Sequence, residues 1–328
     1  MPGKILYWYH MTASTIPSIG IDFGGTSIKL GVVKGTEVIA HAPSIATQEY
    51  GNPDQLIEAI AQFVNMLRLN HPEVQAIGMG MPGFVNFYQG TVYTLTNVPG
   101  WNNVPVRDML QAACGLPVYV ENDANCMAYA EWKLGAGKGK RHLVCLTLGT
   151  GVGSGIILDG KIVNGVNCAG GECGHMVIMV DGEQCSCGRK GCWEAYASAT
   201  ALIRQTKRAM DDYPDSIMHR LAEEEGGVNG KTAFDAMRLG DIAGIEVVNN
   251  YIKYVSCGLI NLVNALQPEI ICIGGGICNE GDTLMEPLRR YVQAERYSIH
   301  SKIQTQIVKA QLGNNAGIIG AALLYQVK

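Results

Sequence analysis

IGIDFGGTSIKLGVVKGTEV, residues 19–38, aligns without a gap on VCLTLGTGVGSGIILDGKIV, residues 144–163; Gly24 falls on Gly149, Gly35 on Gly160 and Val38 on Val163. Each stretch reads strand, Gly/Thr turn, strand, turn, strand, because short β-branched apolar runs alternate with residues that tolerate tight turns. One account is coincidence between two Gly-rich hairpins. The other is two related halves, each contributing a hairpin to one site between them. Outward from these stretches the chain alternates strand-like and helix-like segments, which argues α/β. Helical spacing marks Pro53–Asn70, Ala124–Leu134, Ile242–Ala265 and Ala316–Tyr325. Ala76–Met81, Val118–Val120 and Glu269–Ile273 read as buried strands. Asp211–Gly230 reads as a polar surface loop or helix turn.

The chain has 328 residues, 47% apolar and 16% charged, with a net charge of −4. It is long enough for two cores. The charge gives no bulk attraction to nucleic acid or anionic membrane, and no apolar run approaches a membrane span. Eleven scattered cysteines, an odd number, fit a reducing compartment, so the expected location is the cytoplasm. Met1–Pro17 reads as an extension ahead of the first strand, with Met11 an alternative start.

No standard nucleotide motif fits. Gly230-Lys231-Thr232 ends like a P-loop, but residue 225 is Glu where Gly is needed. Gly149-x-Gly151 is followed by Ser154 where a dinucleotide fold needs Gly. Phosphates still require convergent backbone N–H groups without side-chain obstruction. Asp22 to Thr26 and Gly149 to Gly153 both offer them. Asp22 could hold Mg²⁺ through water, Lys29 could pair with a phosphate or simply be a surface lysine, and Gly274–Gly276 could pass beside an adenosine.

The sharpest chemical signal is Cys185-Ser186-Cys187-Gly188-Arg189-Lys190-Gly191-Cys192, with His175 ten residues upstream. Three thiols and an imidazole are a closed tetrahedral zinc set, structural in role. Buried or accidental cysteines are the competing account, and Cys168 and Cys173 read as unliganded neighbours. Glu121-Asn122-Asp123-Ala124-Asn125 sits between a strand and a helix. Its carboxylate could accept a proton from a substrate hydroxyl, or Asn122 or Asp123 could be a plain helix N-cap. Glu172 and Glu194 flank the Cys loop, and such a group of acceptors suits a polyhydroxylated ligand.

Together these pieces resemble the ROK family of sugar kinases, within the actin/hexokinase/Hsp70-like superfamily. They are DFGGTSIK, the MPG turn at 81–83, NVPGW at 97–101, ENDAN at 121–125, GTGVGSG at 149–155, GGECGH at 170–175 and CSCGRKGCWE at 185–194, in the family's order. EAYAS after the Cys loop and LGNNAGIIGAA near the end look most like the family's bacterial ATP-dependent glucokinases. The resemblance implies a two-lobed, ribonuclease H-like ATPase fold with a cleft between lobes and a zinc-binding loop. The lobes would be 18–122 plus 312–328 and 123–311, after an extension at 1–17. It implies Asp123 as catalytic base on a sugar 6-hydroxyl, with Asn97, Asn122, Glu172, His175 and Glu194 on the sugar ring. Gly24, Gly25, Thr26, Thr150 and Gly151 would hold ATP phosphates, beside Asp22, Lys29, Gly275 and Gly276. His175, Cys185, Cys187 and Cys192 would hold zinc. Glucose is the favoured hexose, though fructose, mannose and N-acetylhexosamines serve relatives; polyphosphate is an alternative donor. A homodimer is the family expectation. A sugar-sensing transcriptional regulator is the rival class, but it needs a helix-turn-helix domain ahead of the first hairpin, where this sequence has 18 residues before Ile19.

Overall fold

The structure, a computed structural model, describes residues 16–95 and 100–327. Asn97 lies outside the described residues, as does nearly all of the 1–17 extension.

Residues 19–38 fold as a three-strand meander. Ser18–Phe23 runs antiparallel to Ser27–Lys34, which runs antiparallel to Glu37–His41. On its other side Ser18–Phe23 pairs in parallel with Ala76–Met81, and that strand with Val118–Asn122. The second stretch repeats this plan. Leu143–Leu148 is antiparallel to Val152–Leu158 and this to Lys161–Ile162, while Ile270–Gly274 and Gln306–Lys309 follow in parallel on the far side. The strand order and strand sense agree in the two sheets, which decides against coincidence as the source of the alignment. A smaller meander, Phe84–Asn86, Thr91–Thr94 and Asn102–Val104, stands apart from both.

The helices form where caps and apolar stripes coincide. Pro53–Asn70 begins with the Asn52 side chain accepting from the Gln55 amide at 3.0 Å, with Pro53 in the first turn. Its Leu56, Ile60, Val64 and Leu67 are buried against the first sheet, in one core with Ile19, Ile21 and Ile77. The second sheet has its own core, where Leu146 and Ile271 meet Val248, Tyr251 and Val255 of the long helix Ile242–Leu266. Asp123–Lys133 and Ala316–Ala322 pack together between the sheets, and Tyr129 and Ala130 share a buried cluster with Ile318, Ile319 and Val33. The second of these helices lies directly on strand backbone. A Cβ at Gly78 would sit 1.7 Å from the Ala321 carbonyl oxygen, so no larger residue fits there.

Some local expectations change. Ala316–Tyr325 is not one helix but Ala316–Ala322 followed by a 3₁₀ turn at Leu324–Gln326. The polar stretch 211–230 contains the helix Met218–Glu224; just ahead of it, the Asp241 carboxylate accepts from the Ser216 hydroxyl and the Ile217 amide. The cysteines are not all free thiols. Cys145 and Cys272, facing each other across parallel strands with Cα atoms 4.9 Å apart, form a buried disulfide. Their separation of 127 residues gives no sequence signal of it. Among the described residues, no helix is long and apolar enough to cross a membrane.

Candidate active site

Asp123 stands where the last parallel strand of the first sheet turns into the helix Asp123–Lys133. The cap and the acid are different residues. Asn122 is the N-cap, its side-chain oxygen accepting from the Asn125 amide at 3.1 Å. Asp123 is left in the first turn, held by its neighbour's amide, Ala124 N–H to Oδ1 at 2.8 Å. Burial pushes the Asp123 carboxyl up to about 7. That Ala124 bond opposes the rise, and the nearby carboxylates of Asp22 and Glu172 add to it. Asp22 and Glu172, from separate segments, thus both lie near Asp123. The Asp22 carboxyl is itself raised by burial and pulled back by Lys29, its cross-strand partner. Glu172 keeps an exposed surface, yet the protein around its carboxyl raises it, with His175 opposing and Glu194 adding to the effect. A carboxylate that takes up a proton near neutrality is suited to general-base work.

The two Gly/Thr turns that end the first strand of each meander carry the residues expected at phosphates. In the first, the Gly24 amide closes the turn on the Ser27 carbonyl at 2.9 Å, leaving Gly25 and Thr26 at the tip. In the second, the Gly149 amide donates to the Gly151 carbonyl at 3.0 Å, with Thr150 between them. Gly275 brings the third Gly run beside this turn. It has φ +94°, and a Cβ there would lie 2.3 Å from the Leu148 carbonyl oxygen, whereas Gly276 faces open space. Lys231 directly precedes the short helix Thr232–Arg238.

The Cys loop folds back on itself. The side-chain donors of His175, Cys185, Cys187 and Cys192 all lie within 4.8 Å of one another. Cys187 Sγ is 3.6 Å from Cys192 Sγ, and Cys185 Sγ is 3.7 Å from His175 Nδ1. A tetrahedron with 2.3 Å metal–sulfur bonds has edges of roughly 3.8 Å. The donor set and its spacing therefore fit a zinc ion. Cys168 and Cys173 are not in this cluster; the Cys173 amide donates to Ser154 Oγ and the Cys168 thiol faces Asn86 at 3.9 Å.

Glu194 directly follows this loop. It accepts from the Val152 amide at 2.9 Å and from the Ser186 hydroxyl at 3.1 Å, so one carboxylate touches both the Cys loop and the second Gly/Thr turn.

Several positioning groups had no local signature. The Ser154 hydroxyl donates to the Gly171 carbonyl at 2.5 Å and accepts from the Cys173 amide at 3.0 Å, bracketing Glu172 on both sides. Buried Glu121 accepts from Asn125, whose amide also donates to Asn164 at 3.1 Å, at the start of the loop that leads to Glu172. Buried Glu131 accepts from the amides of Ala136, Gln311 and Leu312, tying the helix after Asp123 to the segment that returns to the first sheet. Ser154 falls inside the aligned stretch 144–163 and Glu121 inside the ENDAN motif, but Gly171 lies 17 residues from Ser154, and Asn164, which also donates to Glu121 at 3.5 Å, lies 43 residues from it.

The ROK family model matches residues 18–328. A glucokinase of Streptomyces coelicolor is 37% identical over 308 residues, 93% of this chain and 96% of that protein. The crystal structure of a ROK family glucokinase from Streptomyces griseus, in complex with glucose and AMPPNP, superposes with a TM-score of 0.83 at 34% identity, covering 95% of this chain and all of that one. The xylose repressor of Bacillus spizizenii is 30% identical over 92% of this chain and 75% of its own length.

Proposed function

The chain belongs to the ROK family, and from that membership we propose that it is an ATP-dependent hexose kinase that phosphorylates glucose at the 6-hydroxyl. The observation that carries this reading is the placement of Asp123 where a strand turns into a helix, with the carboxylates of Asp22 and Glu172 nearby and burial pushing its carboxyl up to about 7. The glucokinases among its relatives support glucose and ATP as the pair.

In this reading the lobes 18–122 plus 312–328 and 123–311 form the two walls of the site. Asn122, Glu172, His175 and Glu194 hold the hexose ring by hydrogen bonds, with Asn97 beside them. Asn122 spends its oxygen on the cap and offers its amide N–H groups. Asp123 takes the proton of the 6-hydroxyl as that oxygen attacks the terminal phosphoryl. Phosphoryl transfer runs through a loose transition state, so alignment and charge stabilisation supply most of the acceleration. The Thr26, Thr150 and Gly151 backbone, with Gly24 and Gly25, holds the phosphates, and Lys29 adds a positive charge. Gly275 and Gly276 leave room for the nucleoside. Asp22 would hold Mg²⁺, which when bound neutralises phosphate charge. His175, Cys185, Cys187 and Cys192 would hold zinc, which when bound fixes the imidazole's orientation through one nitrogen and leaves the other for the sugar.

A coupled ADP-release assay across glucose, fructose, mannose and N-acetylhexosamines, with ATP and polyphosphate compared, tests the proposal. ATP-dependent turnover greatest with glucose is expected. A preference for another hexose moves the substrate and keeps the reaction; no turnover with any hexose and either donor sinks it.

A further inference from the structure

Each Gly/Thr turn is fastened by a threonine hydroxyl and a backbone amide, and the hydroxyl meets the aligned carbonyl in both halves. In the first, the Thr47 hydroxyl donates to the Gly25 carbonyl at 3.1 Å and the Thr47 amide to the Thr26 carbonyl at 3.1 Å. In the second, the Thr200 hydroxyl donates to the Thr150 carbonyl at 2.8 Å and the Ala199 amide to the Gly149 carbonyl at 2.8 Å. Gly25 falls on Thr150 when residues 19–38 are aligned on 144–163. A threonine hydroxyl therefore grips the corresponding carbonyl in each half. The two threonines come from dissimilar elements. Thr47 opens the 3₁₀ turn Thr47–Glu49 after the edge strand Ile45–Ala46, and Thr200 lies in the first turn of the helix Ala199–Asp212.

A planar trans peptide points its C=O and its N–H in opposite directions. Holding the Gly25 and Thr150 carbonyls from behind thus turns the amides of Thr26 and Gly151 to the other side. Neither amide has a hydrogen-bond partner among the described residues. The next amide along the second turn, that of Val152, is already taken by Glu194. Each turn is left with an oriented, unspent donor at the same aligned place.

We propose that Thr47 and Thr200 are a matched pair of positioning residues that aim the Thr26 and Gly151 amides at the phosphates of the donor nucleotide. The proposal rests on the kinase reading and adds to it how each half of the repeat readies its phosphate turn. The pair acts first on the nucleotide, because each threonine hydroxyl bonds a turn carbonyl and neither bonds Asn122, Asp123, Glu172, His175 or Glu194.

Thr200→Val tests it with little risk to folding, since Thr200 is exposed and valine keeps its shape. The measurements are KM for ATP and for hexose, calorimetric binding of a non-hydrolysable ATP analogue, and the melting temperature. One hydrogen bond lost from the mounting of the turn corresponds to a rise of about three- to tenfold in the ATP KM and in the analogue Kd. Hexose KM and melting temperature should stay as in the wild type, and Thr200→Ser should restore nucleotide affinity. At the buried Thr47, Thr47→Val should weaken nucleotide binding in the same way on the opposite turn, and Thr47→Ser should restore it. Unchanged nucleotide affinity in Thr200→Val, an equal loss of hexose and nucleotide affinity, or no rescue by serine overturns the pairing. A wild-type protein that binds hexose but no nucleotide would instead overturn the kinase reading itself.

Discussion

Replacing Asp123 by Asn should abolish turnover and at the same time stabilise the protein, by an amount that grows with pH. The carboxyl rises from an ordinary value of 3.8 to about 7 in the folded chain, mainly through burial. At low pH it is protonated in both folded and unfolded states and contributes nothing to the difference. As pH rises through the unfolded value the unfolded chain ionises first, and folding stability falls until the folded carboxyl ionises near 7. The displacement is about 3 pH units. At roughly 1.4 kcal/mol per unit it costs at most about 4 kcal/mol above pH 7, an upper bound because the residue keeps some access to solvent. Asn retains an oxygen for the Ala124 amide and removes the charge. Urea denaturation of both proteins at pH 5 and pH 8, with ADP release measured alongside, decides the matter. The stability gain, at most roughly 1.7 kcal/mol at pH 5, should be about two and a half times larger at pH 8, with turnover lost and hexose still bound. An Asn variant that is less stable than wild type at pH 8, or one that turns over hexose near the wild-type rate, would refute the reasoning. The same carboxyl predicts that kcat/KM falls about tenfold per pH unit below 7.

Other consequences follow from particular contacts. Elemental analysis should find one zinc per chain, and Cys187→Ser should lose it and raise the hexose KM; full hexose affinity in the metal-free variant would remove the metal from the sugar site. Ser154→Ala releases both peptides that bracket Glu172; steady-state kinetics should show the hexose KM rising several-fold while the ATP KM stays put. Glu131→Ala strands the amides of Ala136, Gln311 and Leu312. It should cost roughly 3–5 kcal/mol in denaturant unfolding, and a loss below 1 kcal/mol would show that water replaces the carboxylate.

The sequence by itself settled whatever depends on near neighbours in the chain. Apolar alternation and Gly/Thr turns set the two meanders at 19–38 and 144–163, and their gapless alignment already carried the repeated strand plan. A 3.6-residue apolar stripe set Pro53–Asn70. The Cys185–Cys192 spacing with His175 upstream marked the donor set that the fold closes. Only tertiary structure decided the rest. Whether Asn122 or Asp123 caps the helix depends on the backbone conformation at the end of the strand Val118–Asn122, and how far the Asp123 carboxyl rises depends first on the burial that packing imposes, with acids brought in from residues 22 and 172 adding to it. The Cys145–Cys272 bond follows from the register of two parallel strands. Thr47, Thr200 and Ser154 are ordinary residues in the sequence, because a hydroxyl's partner is chosen by the packing of distant segments, and no local pattern encodes that choice.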